Sequence, residues 1–256
     1  MKTVKELDPL IATHTTGEIT KTLEISRANN FFSLILGKTG RSKTLTATHW
    51  LQHNPGAIVR CRTGCTRAKL ARLVAKSLTG SATGSNEFNE QRVIDFLESH
   101  EDFTVVIDEA NYLVDNQSSQ KAKESLNFLR DMWDITQAPH VLIFTNYTLK
   151  DLKHGVLGDF LEQFRGRMGY NIQIPERLLK KSEVEPIVKA YADTSNVKLL
   201  NKAYEIAAGD DGKLRTLVKY LNLAKKYVAD HGGGINADLL DALHERYDGG
   251  GVWPED

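Results

Sequence analysis

The stretch that decides the fold runs from residue 31 to residue 44 and reads FFSLILGKTGRSKT. Its first part, Phe31–Leu36, is a mostly apolar run of the length and composition of a buried strand. A loop containing two glycines follows, and an amphipathic stretch begins where the loop ends. In phosphate-binding loops with this strand–loop–helix order, backbone N–H groups and the helix N-terminus surround the phosphates, a lysine reaches the β and γ groups, and a hydroxyl helps hold Mg2+.

This loop has the lysine and the hydroxyl that such a site needs, at Lys43 and Thr44. It departs from the pattern G-x-x-x-x-G-K-[ST] at one position, because Ser42 stands where the second glycine is expected. Serine disfavours a positive φ, so we expect an altered loop or a lowered affinity. An ordinary strand–helix turn is the alternative for the loop taken alone. The residues predicted to bind ATP are Gly37, Lys38, Thr39, Gly40, Arg41, Ser42, Lys43 and Thr44, with Thr44 also a ligand of Mg2+.

A second apolar run, Phe103–Asp108, ends in two acids, Asp108 and Glu109, and Asp108 lies 65 positions after Lys43. At the carboxyl end of a parallel strand, Asp108 can bind Mg2+ or its water shell, while Glu109 can orient and deprotonate an attacking water. A solvated acidic turn is the alternative, which the coincidence with the loop disfavours. We therefore predict separate roles for the two carboxylates, with Asp108 in metal binding and Glu109 in catalysis.

Two further polar side chains fit the same chemistry. Asn146 follows the run His140–Thr145, and it lies beside the two acids if the two strands are neighbours, where it can hold the lytic water or the γ-phosphate. A turn-forming asparagine is the alternative there. Arg215 lies at the start of a later amphipathic stretch and is predicted to lean over the phosphates, against the alternative of a solvated helical arginine.

Apolar runs alternate with longer amphipathic stretches up to Pro175, as is typical of βαβ units and a parallel sheet covered by helices. Only helical periodicity continues beyond that residue. The expected fold is α/β, with a five-stranded parallel P-loop sheet flanked by helices and followed by a small helical lid domain. The predicted strands are Phe31–Leu36, Ala57–Arg62, Phe103–Asp108, His140–Thr145 and Tyr170–Ile174. The predicted domains are an N-terminal helical extension (1–30), the nucleotide-binding domain (31–176), the lid (177–248) and a flexible tail (249–256).

Composition excludes several classes of protein. The chain has 256 residues, of which 41% are hydrophobic, so it can bury a core and is not a disordered or fibrous chain. Two cysteines, Cys61 and Cys65, are too few for a disulfide scaffold and lack the second pair of a zinc site. Because no apolar run is long enough to span a bilayer or to form a signal peptide, we expect a cytoplasmic protein without a membrane partner.

The loop, the acid pair, Asn146 and the G-x-x-R sequence at Gly212–Arg215 together resemble the AAA+ ATPases, as do Arg165 and Arg167 before the last strand. Among these, the length, the brief N-terminal extension and the segment Val59–Leu73 look most like transposition regulators of the MuB, TniB and TnsC type. The resemblance implies ATP-dependent assembly into a ring or helical filament on duplex DNA, recruitment of a transposase, and disassembly on hydrolysis. It also implies that Arg165 or Arg167 reaches a neighbouring subunit's site, where an arginine stabilises charge on the γ-phosphate.

A basic block is hidden by the zero net charge of the chain, in which 33 basic residues balance 33 acidic ones. Residues 25–86 contain ten lysines and arginines and no acid. Cations of this kind contact phosphates irrespective of base sequence. The resemblance points to Arg67, Lys69, Arg72 and Thr83 as the DNA contacts; the alternative is a solvated basic helix face that pairs with acidic neighbours.

Two other functions share these motifs. A helicase loader or replication-initiation ATPase would favour single-stranded DNA or a helicase partner. A scaffold ATPase of a secretion or signalling complex would use the basic block for internal pairing only.

Overall fold

The computed structural model describes residues 10–115, 117–147, 155–164, 168–175, 181–192, 196–209 and 214–248. These residues form two compact units. The first consists of Leu10, Gly17–Lys38 and the described residues of Lys43–Pro175, and the second of Ile11–Thr16, Thr39–Ser42 and the described residues after 180.

The first unit is built on a parallel sheet whose strands have the order β2-β3-β4-β1-β5. All the strand pairs are parallel. The strands are β1 (Phe32–Gly37), β2 (Gly56–Arg60), β3 (Thr104–Asp108), β4 (His140–Thr145) and β5 (Ile172–Gln173). The predicted α/β fold is therefore confirmed, since a five-stranded parallel sheet is flanked by helices.

Helices cover both faces of this sheet, which is why its strands are apolar at nearly every position. Phe32 and Leu34 of β1 pack into the cluster on one face, and Ile35 packs with Ile19 and Leu23 of α1 on the other. The helices are α1 (His14–Ala28), α2 (Lys43–Leu51), α3 (Arg67–Thr79), α4 (Asn86–Glu98), α5 (Ser119–Thr136) and α6 (Gly155–Phe164), with a 3-10 helix at Ala110–Leu113.

The last strand is shorter than the predicted Tyr170–Ile174, for a reason visible in its hydrogen bonds. The backbone N–H of Leu34 donates to the side-chain oxygen of Asn171 at 2.8 Å rather than to a backbone carbonyl. Only Ile172 and Gln173 pair with β1 in the regular ladder. A side chain thus replaces the backbone partner at the start of this edge strand.

The described residues of the second unit form four helices that pack around Tyr220, Leu217, Ile187 and Leu199. These helices are α7 (Lys181–Ala192), α8 (Val197–Gly209), α9 (Leu214–His231) and α10 (Ala237–Asp248). Among the described residues of the whole chain, no helix has both the length and the apolar character needed to cross a membrane.

Candidate functional site

Glu109, Asn146 and the loop that starts at Gly37 lie at the carboxyl ends of three neighbouring strands, β3, β4 and β1. β3 ends at Asp108, with Glu109 next, and Asn146 follows β4 directly. β1 ends at Gly37, which lies opposite Thr145 in the ladder and accepts a hydrogen bond from the N–H of Asn146 at 3.1 Å. Ligands of open α/β sheets bind at the carboxyl ends of the strands, so this edge is the expected position of a site.

The ammonium group of Lys43 is buried inside the loop. Its Nζ donates to the carbonyl oxygens of Gly37 at 2.8 Å and Lys38 at 2.7 Å, and the residue is 5% exposed. A buried ammonium needs such partners because burial without them is costly. Phosphate oxygens can replace these carbonyls as acceptors, so the ammonium group is positioned where it can bind an anion.

The backbone of the loop has the conformation that a glycine pattern would provide. Ser42 has φ +56°, in the left-handed region that serine disfavours. The serine thus adopts the positive φ that glycine would provide, and its effect on nucleotide affinity stays a prediction. Gly37 is required for another reason, because a Cβ there would lie 2.9 Å from the Cβ of Ile174.

Two oxygen ligands suited to Mg2+ lie together behind the loop. The hydroxyl of Thr44 donates to the carboxylate of Asp108, at 3.0 Å from Oδ2 and 3.2 Å from Oδ1. Neighbouring ligand oxygens of an octahedral Mg2+ with bonds of about 2.1 Å are about 3 Å apart, so the spacing fits this ion. Both donors are hard oxygens, which also fits.

Asp108 is almost completely buried, at 1% exposure. Burial raises the pKa of its carboxyl group above the ordinary value, the hydrogen bond from Thr44 opposes this, and the charge of Glu109 adds to the increase. A bound cation would offset this cost of burying the charged form. The carboxylate therefore fits a metal ligand better than a proton carrier.

Glu109 is held in an unusual backbone conformation and in an ion pair. Its φ is +54° and its ψ +41°, which directs the chain into the 3-10 helix that follows. Its Oε1 lies 3.5 Å from Nη2 of Arg60, and Nε of Arg60 lies 3.8 Å from Oδ2 of Asp108. Arg60 ends β2 directly opposite Asp108, which explains the contact. The local sequence did not indicate this pairing, since only the strand register reveals it.

Asn146 shares the backbone feature of Glu109. It has φ +63°, and its side chain is exposed at the same sheet edge. Left-handed residues other than glycine are uncommon, and they cluster at functional sites. Ser42, Glu109 and Asn146, which were singled out from the sequence, have this conformation at the carboxyl ends of the strands. Asn30, Asp102 and Gln137 have it too, in the turns that precede β1, β3 and β4.

Comparison with known proteins shows which fold this is. Residues 28–152 match the family model described as the AAA domain. The fold is that of the AAA+ ATPases. The loop, both acids and Asn146 all lie within the matched segment. Among curated proteins, none matches the sequence significantly.

Solved structures share this AAA+ fold at low sequence identity. A Walker-type ATPase of Pyrococcus abyssi has 17% identity and a TM-score of 0.59, and the alignment covers 94% of this chain and 73% of that one. Cdc6p of Pyrobaculum aerophilum has 16% identity and a TM-score of 0.57, with coverages of 90% and 65%. The chain thus spans slightly less than two thirds of the Cdc6p chain.

Two arginines that the sequence singled out, Arg41 and Arg215, lie in the second unit. Arg41, in the loop, is 3% exposed, and burial lowers the pKa of its guanidinium while the nearby carboxylate of Glu183 opposes this. The hydroxyl of Thr15 donates to the same carboxylate at 3.0 Å. Arg215 is exposed near the start of α9, and its role toward phosphate stays a prediction. Arg165 and Arg167 lie outside the described residues.

The side chains of the predicted DNA contacts differ in their exposure and in their ion pairs. Arg67 donates to both carboxylate oxygens of Glu90, at 2.8 and 2.7 Å, and its guanidinium lies 5.8 Å from the centre of the Phe128 ring. Lys69, Arg72 and Thr83 are exposed. Arg67 therefore joins α3 to α4 and is the least available of the four.

We use the term α3 basic face for four exposed cations at and before this helix. Within the part of the chain that the structure describes, none of them forms an ion pair. The α3 basic face consists of Arg62, Lys69, Arg72 and Lys76. These four cations lack acidic partners among the described residues, whereas Arg67 pairs with Glu90 as the alternative of internal pairing expects.

Proposed function

We propose that this AAA+ protein hydrolyses ATP with Mg2+ at the sheet edge that carries Asp108, Glu109 and Asn146. The observation that carries the proposal is the 3.0 Å contact between the Thr44 hydroxyl and the buried Asp108 carboxylate, behind a loop that holds the Lys43 ammonium. A hydroxyl, a buried carboxylate and an enclosed ammonium group seldom occur together in a purely structural ion pair. Nucleotide hydrolysis needs all three.

Each side chain has a role in this proposal. Lys43 exchanges its loop carbonyls for β- and γ-phosphate oxygens, and the backbone of Gly37–Thr44 surrounds the phosphates. Mg2+, held by Thr44 and Asp108, supplies positive charge that neutralises the phosphates. Glu109 accepts the proton of the attacking water, and Asn146 orients that water or the γ-phosphate.

The AAA+ fold also suggests a role for the arginines. We assign Arg215 to phosphate binding, and Arg165 or Arg167 to the site of a neighbouring copy. An arginine supplied by a neighbour makes hydrolysis depend on assembly, because charge develops on the γ-phosphate in the transition state. The protein is therefore proposed to act as a homo-oligomer.

Substitution of the proposed base tests the hydrolysis. Glu109→Gln retains the size of the side chain but cannot accept a proton, so ATP binding is expected to persist while turnover falls roughly 100-fold or more. Glu101→Gln, at an exposed turn before β3, is the matched control and should keep the parental rate. Parental turnover by Glu109→Gln would show that the base is another group.

We further propose that the protein assembles on duplex DNA as a ring or helical filament, without sequence preference, and recruits or activates a transposase. Hydrolysis would then drive disassembly. The unpaired cations of the α3 basic face support the DNA contact, because exposed lysines and arginines track a phosphate backbone. Three of them, Lys69, Arg72 and Lys76, lie along α3, which suits an extended polyanion.

A helicase-loader or replication-initiation function on single-stranded DNA is the second candidate. One observation favours it: Phe88, at the start of α4, is 56% exposed and lies after the loop that carries Thr83, although the Arg92 guanidinium lies 4.7 Å from the centre of its ring. Exposed aromatic rings stack on unpaired bases. Electron microscopy with ATP separates the candidates, because filaments on duplex DNA support the first, single-strand preference supports the second, and no DNA-dependent assembly contradicts both.

A further inference from the structure

The two strands that carry Glu109 and Asn146 lose their pairing just before the site. The ladder between β3 and β4 ends at Ile107 opposite Leu142. Beyond that point, Asp108 lies opposite Arg60 of β2, and Thr145 lies opposite Gly37 of β1. The sheet ladder itself therefore does not fix the separation of the two strand ends.

Asn111 links the segment after β3 to the end of β4, where the ladder between these strands has ended. It is 7% exposed and lies two residues after Glu109. Its side-chain oxygen accepts a hydrogen bond at 3.4 Å from the backbone N–H of Thr145, the residue before Asn146. Its Nδ2 donates to Oδ2 of Asp115 at 3.3 Å.

The other side is closed by Tyr147, the residue after Asn146. Its hydroxyl donates to Oδ1 of Asp115 at 2.5 Å, the short distance of a hydrogen bond to a charged acceptor. Its ring packs against Phe144 of β4, with the two ring centres 5.5 Å apart. One carboxylate thus receives hydrogen bonds from both segments.

We propose that Asn111, Asp115 and Tyr147 are positioning residues that set the distance between Glu109 and Asn146. The inference rests on the hydrolysis proposed above, because that reaction requires Glu109 and Asn146 to lie at a fixed distance from each other. Both Glu109 and Asn146 have a positive φ, which asparagine tolerates but glutamate rarely adopts, so contacts near Glu109 help to hold its backbone. The network binds the chain immediately after Glu109 to the residues on both sides of Asn146.

Removal of one hydroxyl tests this network. Tyr147→Phe keeps the ring and loses the bond to Asp115, so kcat is expected to fall roughly 10- to 100-fold with an unchanged KM for ATP. Tyr170→Phe is the matched control, because its hydroxyl also donates to a carboxylate, that of Glu18 at 3.3 Å, elsewhere in the same unit. Asp115→Asn keeps an acceptor for Tyr147 and should retain more activity than Asp115→Ala.

Hydrogen exchange gives a readout that does not depend on hydrolysis. Loss of one bond in the network is expected to speed exchange roughly fivefold in peptides covering residues 109–115 and 143–147, together, in Tyr147→Phe and not in Tyr170→Phe. Unchanged exchange, or faster exchange with an unchanged kcat, overturns the inference. A wild-type protein that hydrolyses no ATP contradicts the proposed function instead, and the exchange data then decide alone whether the network joins the two segments.

Discussion

The proposed phosphate-binding loop, residues 37–44, and the α3 basic face both contain lysines, but Lys43 of the loop is buried and the lysines of the basic face are exposed. Lys43 is 5% exposed and donates to two backbone carbonyls. Lys69 is exposed and has no ion pair within the described residues. A buried ammonium binds only a ligand that replaces its acceptors in place, whereas an exposed one attracts any anion nearby. The first arrangement is the one we propose for a bound phosphate, and the second is the one we propose for a polymer.

Exchanging the two lysines for alanine gives the largest expected contrast. Lys43→Ala removes the cation that the loop encloses, and we expect nucleotide affinity to fall at least roughly 100-fold, since hydrogen bonds from a charged group to phosphate are strong. Lys69→Ala should leave nucleotide affinity unchanged. Titration with a fluorescent ATP analogue measures both. Equal losses in the two variants would break the comparison, because they would indicate a nonspecific effect of charge.

The α3 basic face is expected to give a smaller and salt-dependent effect. The double variant Lys69→Ala/Arg72→Ala should weaken duplex binding by roughly tenfold and reduce the slope of log affinity against log salt by about two. Nucleotide affinity should not change. Lys121→Ala/Lys123→Ala, which removes two exposed cations from α5, is the control. An unchanged salt slope in the α3 variant would show that this helix does not touch phosphate.

Arg60 lies between the two regions, and its substitution sharpens the comparison. Its side chain is 63% exposed like those of the basic face, yet it contacts both acids of the site. We expect Arg60→Ala to change the hydrolysis rate by less than tenfold, with an increase if the ion pair at 3.5 Å restrains Glu109. Steady-state hydrolysis without DNA measures this, with Arg62→Ala as the control. A loss of activity as large as that of Glu109→Gln would instead make Arg60 part of the catalytic machinery.

The sequence predicted the fold and the composition of the sheet edge because both depend on local patterns. The apolar runs gave the strands, and the loop pattern and the two acids marked the ends of β1 and β3. The ladder then brings Gly37 beside Thr145 and Asp108 beside Arg60. Residues that follow neighbouring parallel strands come together even when dozens of residues separate them in sequence, because the carboxyl ends of these strands lie on one side of the sheet.

The contacts that could not be predicted join residues with no recognisable spacing. Arg67 was interpreted as a DNA contact, yet it binds Glu90, which is 23 positions away on the next helix. Asn111 and Thr145 are 34 positions apart and meet only because β3 and β4 are adjacent. Such pairs depend on packing and register, so a single sequence shows the residue types without showing their partners.

Substitution of Ser42, which lies in the same loop as Lys43, is expected to have the smallest effect. An L-residue at φ +56° carries a steric cost of roughly 1 kcal/mol that glycine avoids. Glycine also gains freedom in the unfolded chain, which offsets part of the benefit. We expect Ser42→Gly to raise the free energy of unfolding by less than about 1 kcal/mol and Ser42→Val to lower it, because branching at Cβ is least compatible with a positive φ. Chemical denaturation of the nucleotide-free protein measures both changes. If Ser42→Val were as stable as wild type, the backbone at this position would not be held in the left-handed region, and the serine would have changed the loop after all.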